Sequence, residues 1–176
     1  MFIDKAKIAI KAGNGGNGAV SFYRAKYVTH GGPDGGDGGH GGSIVFVADD
    51  SAATLSDFRY KRHFKAENGA NGEKGNRSGK AGADIVIKVP VGTVIKEVNS
   101  GKVIADMKIK DEKRIIAKGG KGGRGNQHFA TSVRQAPRYA EAGKSGKELE
   151  VVLELKIIAD AGIIGFPNVG KSTLLA

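Results

Sequence analysis

Nine residues near the end of the sequence, GFPNVGKST at positions 165–173, have the types and spacing of a phosphate-binding loop, G-x-x-x-x-G-K-[ST]. Glycines let backbone N–H groups curl around phosphate oxygens, and a helix that starts there adds the positive end of its dipole. In such a loop Lys171 neutralises the β- and γ-phosphates, and the Ser172 hydroxyl is a ligand for Mg²⁺. The residues expected to hold the phosphates are Gly165, Phe166, Pro167, Asn168, Val169, Gly170, Lys171, Ser172 and Thr173.

The sequence around this loop favours a nucleotide site over a glycine turn that binds nothing. Isoleucine pairs at 157–158 and 163–164 favour a preceding strand, and residues 172–176 favour the start of a helix. A complete nucleotide domain also needs a parallel sheet, a magnesium-binding aspartate and a base-reading loop, for which too few residues follow. We therefore expect a glycine-rich domain over 1–156 and the truncated start of an α/β P-loop domain over 157–176. The 176 residues would then be the N-terminal part of a longer enzyme, and inactive by themselves.

Short segments in which apolar and polar residues alternate predict β-strands ahead of that loop. The segment 54–64, TLSDFRYKRHF, has a weak helical pattern, and its aromatic residues Phe58, Tyr60 and Phe64 are expected to anchor it to the strands. Strands at such spacing predict a mainly β fold, a small barrel or sandwich. The predicted strands cover residues 2–11, 43–48, 84–90, 93–98, 102–107, 113–118 and 148–158.

Between the predicted strands lie glycine-rich segments in which glycine recurs every third residue. Period three is the repeat of the polyproline II helix, whose N–H and C=O groups point outward and must find partners. A face made of glycine lets a neighbouring backbone come close enough to supply them. We expect segment 31–42, GGPDGGDGGHGG, to lie inside a bundle of such helices with Asp34, Asp37 and His40 along a free ridge. Segment 69–75, with a single glycine face, is expected at the edge of the bundle.

The charge balance favours a polyanionic partner. The sequence has 28 Lys and Arg against 18 Asp and Glu, a formal net charge of +10, which suits nucleic acid first and a membrane surface second. It contains no cysteine, which excludes disulfides and thiolate metal sites. No apolar run approaches the roughly 18 residues of a membrane span. These features predict a soluble, cytoplasmic protein.

A basic ridge in one glycine segment is the strongest candidate for nucleic-acid contact. In KGGKGGRGN, residues 118–126, every third residue is Lys118, Lys121 or Arg124, about 9 Å apart in polyproline II geometry. Three cations on a stiff rod suit phosphate contacts, and the alternative is a solvated ridge without a partner. The predicted RNA-contacting residues are Lys118, Lys121, Arg124, Lys74, Arg77, Lys80, Arg24 and Lys26.

Taken together and in order, these motifs resemble the N-terminal part of Obg-family GTPases over all 176 residues. The segments that carry the resemblance are GGPDGGDGGHGG (31–42), DFRYKRHFKA (57–66), IKVPVGTV (87–94), IAKGGKGGRGN (116–126) and LELKIIADAGIIGFPNVGKSTLL (153–175). One departure lies in SFYRAKY (21–27), where the family pattern has a second arginine beside Arg24. It removes one cation from a surface that would otherwise be expected to bind RNA.

The resemblance implies a bundle of polyproline II helices projecting from a β-barrel, ahead of a Ras-like GTPase domain. It implies binding of GTP, GDP and guanosine tetraphosphate, and slow hydrolysis of GTP with Mg²⁺ at Ser172. Asn168 matches an asparagine that binds a monovalent cation in some related GTPases. The implied role is assembly of the large ribosomal subunit, together with stress and growth control. The glycine-rich domain would then contact rRNA and reach toward the peptidyl-transferase region.

A protein-docking scaffold is the alternative for the glycine-rich domain, with stress-signalling proteins as partners and an incidental positive charge. The salt dependence of binding distinguishes the two. Contacts to Z phosphates give a slope of log K against log salt of about −0.7Z to −0.9Z, whereas apolar docking gives little slope. The clustering of basic residues on the glycine segments and their flanks favours RNA.

Overall fold

A computed structural model describes residues 4–28, 31–52 and 54–156. Within them the chain is mainly β, as predicted, with one single-turn α-helix, α1 (Asp57–Tyr60), and one 3-10 turn at Asn126–Phe129. The predicted phosphate loop, residues 165–173, lies outside the described residues. The strands are β1 (Lys5–Lys11), β2 (Ile44–Ala48), β3 (His63–Lys65), β4 (Ile85–Val89), β5 (Thr93–Glu97), β6 (Val103–Met107), β7 (Lys113–Ala117) and β8 (Glu148–Leu155).

The strands form two sheets around one core, which we call the β-sandwich. The larger sheet has the order β3-β1-β8-β5-β6 and the smaller one β4-β2-β7. The β1–β3 and β2–β4 pairs are parallel and the other pairs are antiparallel. Alternation places Ile8 and Ile10 of β1 and Leu153 of β8 inward, where they pack with Phe46 of β2. Burial of this apolar face stabilises the sandwich.

The outward residues of β1 and β8 pair by charge. Lys5 lies 2.8 Å from Glu154, and Lys11 lies 2.5 Å from Glu148 across the antiparallel pair. Exposed pairs of this kind contribute little stability individually. Because of these pairs, neighbouring carboxylates neutralise most of the lysine charge of the β-sandwich.

The segment 54–64 differs from its sequence-based expectation. Its helix is limited to one turn, and residues 63–65 form strand β3 instead. Phe58 is buried and its ring centroid lies 6.0 Å from that of Phe64, so these two side chains anchor the segment. The prediction was wrong for Tyr60, which is 87% exposed. Residues two apart on a helix point to nearly opposite sides, so the turn that buries Phe58 exposes Tyr60.

Six glycine-rich segments project from the β-sandwich as a bundle. The first, third and fifth segments lead away from a strand, and the second, fourth and sixth lead back into one. At the distal end they are joined by three connections, whose described residues are 20–28 with 31–33, 74–75 and 127–139. The six segments, numbered in chain order, cover residues 12–19, 34–42, 66–73, 76–83, 118–126 and 140–147.

Hydrogen bonding in the bundle repeats every three residues. In the first segment, Ala12, Gly15 and Gly18 donate their N–H groups to the sixth segment, and Gly13, Gly16 and Ala19 donate to the second. The remaining N–H groups, of residues 14 and 17, are accepted by side-chain Oδ1 atoms of the third segment. Each face therefore has its own neighbour, as expected for threefold polyproline II geometry. Gly125, with φ −70° and ψ 164°, has these backbone angles.

Glycine is required in the second segment because neighbours approach it on two faces. A methyl group on Gly38 would lie 1.9 Å from the Gly16 carbonyl oxygen, and one on Gly39 would lie 2.1 Å from that of Lys80. The prediction that this segment lies inside the bundle is confirmed. The third segment presents one glycine face, to the second segment, and lies at the edge as predicted. Gly75 is not part of that face: it occupies a turn at φ +69° with open space around it.

The ridge formed by Asp34, Asp37 and His40 is not free, contrary to the sequence-based expectation. Asp37 Oδ1 accepts the Gly125 N–H at 2.7 Å, and His40 Nδ1 accepts the Gly122 N–H at 3.2 Å. Asp34 is buried and hydrogen-bonded as well. A polyproline II helix has no internal hydrogen bonds, so N–H groups without a backbone acceptor must find a side chain. The ridge supplies those acceptors.

Candidate nucleic-acid interface

The fifth and sixth segments lie side by side and present most of the bundle's unpaired positive charge. The backbone N–H groups of Glu141, Lys144 and Lys147 donate to the carbonyl oxygens of Arg124, Lys121 and Lys118, at 2.8–3.2 Å. The predicted ridge is therefore doubled by a second basic row. We call this surface the basic face; its residues, all exposed, are Lys118, Lys121, Arg124, Lys144 and Lys147.

Sequence reasoning missed the second row. Its signal was present, because Lys144 and Lys147 follow the same period of three as the glycines at 143 and 146. The sequence could not show that this row runs next to Lys118 and Lys121, since that depends on which two segments are neighbours.

The charges of the basic face are unneutralised, in contrast to those of the β-sandwich. Among the residues that the structure describes, none of the five side chains forms a salt bridge, whereas lysines at positions such as 7, 88 and 110 do. The nearest acidic member of the same rows is Glu141, whose Oε2 accepts the Arg124 N–H at 3.4 Å. Rows of like charge on a stiff support create a positive potential that attracts phosphate.

The basic face is held rigid by the glycines between its cations. A methyl group on Gly122 would lie 1.9 Å from the Gly38 carbonyl oxygen, and one on Gly123 would lie 1.9 Å from that of Glu141. The backbone is thus packed against neighbours on two sides while the cationic side chains extend outward. A ligand binding here has only side chains to order, which lowers the entropic cost of binding.

Asp37 fixes the distal end of the fifth segment. Its second carboxylate oxygen lies 2.9 Å from His128 Nε2, in the 3-10 turn. Burial opposes ionisation of Asp37, but the hydrogen bond from the Gly125 N–H and the nearby His128 and Arg124 outweigh it and lower the pKa of this carboxyl. Asp37 is therefore an anion that orients the end of the basic face.

The other predicted contact residues divide into two groups. Arg24, Lys74 and Arg77 line a cleft at the distal end of the bundle, between the loop that follows the first segment and the turn between the third and fourth. We call this the distal cleft; it is lined by residues 19–24, 34, 72–75 and 77. Lys26 and Lys80 are exposed but belong neither to the cleft nor to the basic face.

Helices of the described residues are too short and too polar to cross a membrane.

The chain is similar to known proteins over its whole length. The GTP1/OBG family model matches residues 3–157. A protein named GTPase Obg from Acetivibrio thermocellus is 58% identical over 176 residues, which are all of this chain and 42% of that protein. The GTPase Obg of Caldicellulosiruptor bescii is 60% identical over the whole chain and 41% of its own length. That of Persephonella marina is 60% identical over 175 residues, which cover 99% of this chain and 52% of that protein. The chain thus spans about two fifths to one half of these curated relatives.

Proposed function

The chain belongs to the GTP1/OBG family, and from this membership we propose that the whole protein is a cytoplasmic GTPase whose glycine-rich domain docks on rRNA of the large ribosomal subunit. In this proposal residues 1–156 form the docking domain and residues 157–176 begin the GTPase domain. The protein acts in assembly of the subunit and in stress and growth control. In this proposal the 176 residues alone do not hydrolyse GTP, because hydrolysis also needs the magnesium-binding and water-positioning residues of a complete nucleotide domain.

The nucleotide part of the proposal rests on family membership and the 165–173 motif. Residues Gly165 to Thr173 hold the phosphates of GTP or GDP, and of guanosine tetraphosphate where it binds. Ser172 supplies a ligand to Mg²⁺, and Asn168 contacts a monovalent cation. Bound there, Mg²⁺ would neutralise charge that develops on the transferred phosphoryl group, and the Lys171 ammonium would add a second positive charge.

The docking part rests on one observation, the basic face. Five exposed cations stand in two parallel rows on a rigid backbone and form no salt bridge among the described residues. Phosphate contacts of this kind supply affinity without reading sequence. They suit a structured RNA whose backbone lies along the face.

Protein docking is less favoured on this face because it lacks an apolar centre. Protein interfaces derive most of their affinity from buried aromatic or aliphatic anchors. The large exposed apolar side chains of the described residues lie elsewhere, for example Tyr60, Ile115 and Val133. A cationic surface without such an anchor fits a polyanion better than a protein.

Co-sedimentation of the 176-residue chain with purified large ribosomal subunits, across a salt titration, tests the docking proposal. We expect a steep negative slope of log K against log salt. The variant Lys118→Ala/Lys121→Ala/Arg124→Ala should lower affinity and make the slope shallower by about 2 to 3.

The matched control removes the same charge from paired positions on the β-sandwich. Lys7→Ala/Lys88→Ala/Lys110→Ala deletes three cations that already have carboxylate partners. It should retain most of the affinity and slope. Binding that is indifferent to salt and to the basic-face variant would instead indicate the protein-docking scaffold.

A further inference from the structure

Hydrogen bonds within the protein hold both walls of the distal cleft in place. Its floor is Asp34, which is 9% exposed and connects both walls. Asp34 Oδ1 accepts the Ser21 hydroxyl at 2.6 Å, and Oδ2 accepts the Gly75 N–H at 3.2 Å. Its backbone donates to the Ser21 carbonyl at 3.0 Å and accepts from the Asn76 N–H at 2.7 Å. Both walls are therefore held in place without a ligand, and such pre-organisation favours binding.

One wall carries an aromatic ring that is unpartnered within the described part of the chain. Tyr23 is 53% exposed, and among the described residues neither its hydroxyl nor its ring makes a hydrogen bond or a ring contact. Its backbone is nevertheless fixed, because its N–H donates to the Gly32 carbonyl oxygen at 2.9 Å. A methyl group on Gly31 would lie 1.9 Å from the Tyr23 carbonyl oxygen, so this loop is tightly packed behind the ring. A positioned, uncovered ring is a stacking surface.

Three cations line the same cleft as this ring. Arg24, Lys74 and Arg77 line the cleft, are exposed, and form no salt bridge among the described residues. The carboxylate of Asp34 is already engaged by two donors, which leaves Glu73 as the free acid of the cleft lining. The cleft thus combines one flat apolar surface with an excess of positive charge.

This combination matches one chemical class of ligand. An unpaired nucleotide presents a flat base for stacking and an adjoining phosphate for cations. A base inside a duplex is already stacked and paired, so a protein contacts duplex RNA mainly at its sugar-phosphate backbone. The basic face, which has cations and no aromatic ring, suits the duplex backbone, while the distal cleft suits a base that has left the stack.

We infer that the distal cleft binds one unpaired nucleotide of an RNA loop or bulge, with the base on the Tyr23 ring and the flanking phosphates at Arg24, Lys74 and Arg77. This inference rests on the proposed RNA-binding function. It assigns binding of an unpaired base to the distal cleft and binding of the RNA backbone to the basic face.

Two RNA hairpins that differ in one nucleotide test the inference. One stem carries a single bulged 2-aminopurine, and the other carries the same 2-aminopurine opposite uridine. Binding of the 176-residue chain is followed by anisotropy of an end label and by 2-aminopurine fluorescence, which falls when the base stacks. We expect tighter binding of the bulged hairpin and further quenching of its 2-aminopurine on binding.

Variants on one loop identify the stacking residue. Tyr23→Ala should abolish the quenching and weaken binding of the bulged hairpin by roughly 5- to 150-fold, the loss that corresponds to one base–aromatic stack. Tyr23→Phe should retain both. Tyr27→Ala is the matched control, because Tyr27 is 90% exposed on the same loop and does not line the cleft.

The outcomes separate this inference from the docking proposal. Equal affinity for the two hairpins, or a preference that survives Tyr23→Ala, would overturn the cleft assignment alone if the chain still binds large ribosomal subunits with a steep salt slope. Failure to bind either hairpin and the subunits would overturn both.

Discussion

Substitution of Gly38 by alanine should separate the first two segments of the bundle. The added methyl group would lie 1.9 Å from the Gly16 carbonyl oxygen, whereas ordinary contact begins near 3.4 Å. The obstacle is backbone, so relief requires the segments to move apart by about 1.5 Å, since close-packed interiors accommodate extra atoms poorly.

The cost of that movement can be worked from the hydrogen bonds between the two segments. Three backbone bonds join them, at 2.8–2.9 Å. A displacement of about 1.5 Å would break all three, and each contributes about 1 kcal/mol net. We therefore expect Gly38→Ala to lower the free energy of unfolding by about 3 kcal/mol.

Two other glycines serve as graded controls. Gly32 has open space where a methyl group would go, so Gly32→Ala should be neutral or stabilising by about 0.4–1 kcal/mol. Gly75 also has open space but adopts φ +69°, so Gly75→Ala should cost about 1–2 kcal/mol through backbone strain alone.

Urea unfolding followed by circular dichroism measures all three variants. The expected order of stability is Gly32→Ala, then Gly75→Ala, then Gly38→Ala. A Gly38→Ala variant within about 0.5 kcal/mol of Gly32→Ala would refute the close approach of backbones on which the bundle depends.

Two further predictions concern charge. Hydrogen bonds from Lys5 and Lys96 lower the pKa of Glu154 to about 2, below the ordinary 4.5. The stabilisation that ionised Glu154 contributes is then complete above pH 4.5 and is lost as the pH falls toward 2. Glu154→Gln should therefore flatten the dependence of Tm on pH in that window. An unchanged profile would contradict the lowered pKa of Glu154. Lys144→Ala/Lys147→Ala should make the salt slope of large-subunit binding shallower by about 1.5 in co-sedimentation, and a slope equal to wild type would remove the second row from the interface.

The strands and the bundle could be predicted because each has a simple period. Alternation along residues 5–11 and 148–155 follows from one buried and one exposed sheet face. Glycine recurs every third residue because a neighbouring backbone packs closely against one face of a helix with three residues per turn. Both signals are local, so a single sequence contains them.

The distal cleft could not be predicted, because it is assembled from parts distant in sequence. Its walls come from residues 19–24 and from residues 72–75 and 77, and they are joined by Asp34. Asp34, Asp37 and His40 looked like an exposed ridge since their period is correct. Their side chains instead accept N–H groups of neighbouring segments, and these N–H groups have no backbone acceptor. Which N–H groups lack one depends on how the segments pack, so the three residues alone could not show it.

The period of three also restricts how the length of this projecting arm can change. Loss of one residue from a segment would rotate everything beyond it by about 120°, and would bring side chains against a neighbour's backbone where glycine had been. Loss of three residues would restore the faces and shorten that segment by about 9 Å. Because each segment is hydrogen-bonded to several others, the partners would have to lose the same triplet. The length of the bundle can therefore change only by multiples of three residues, and only if several segments change together.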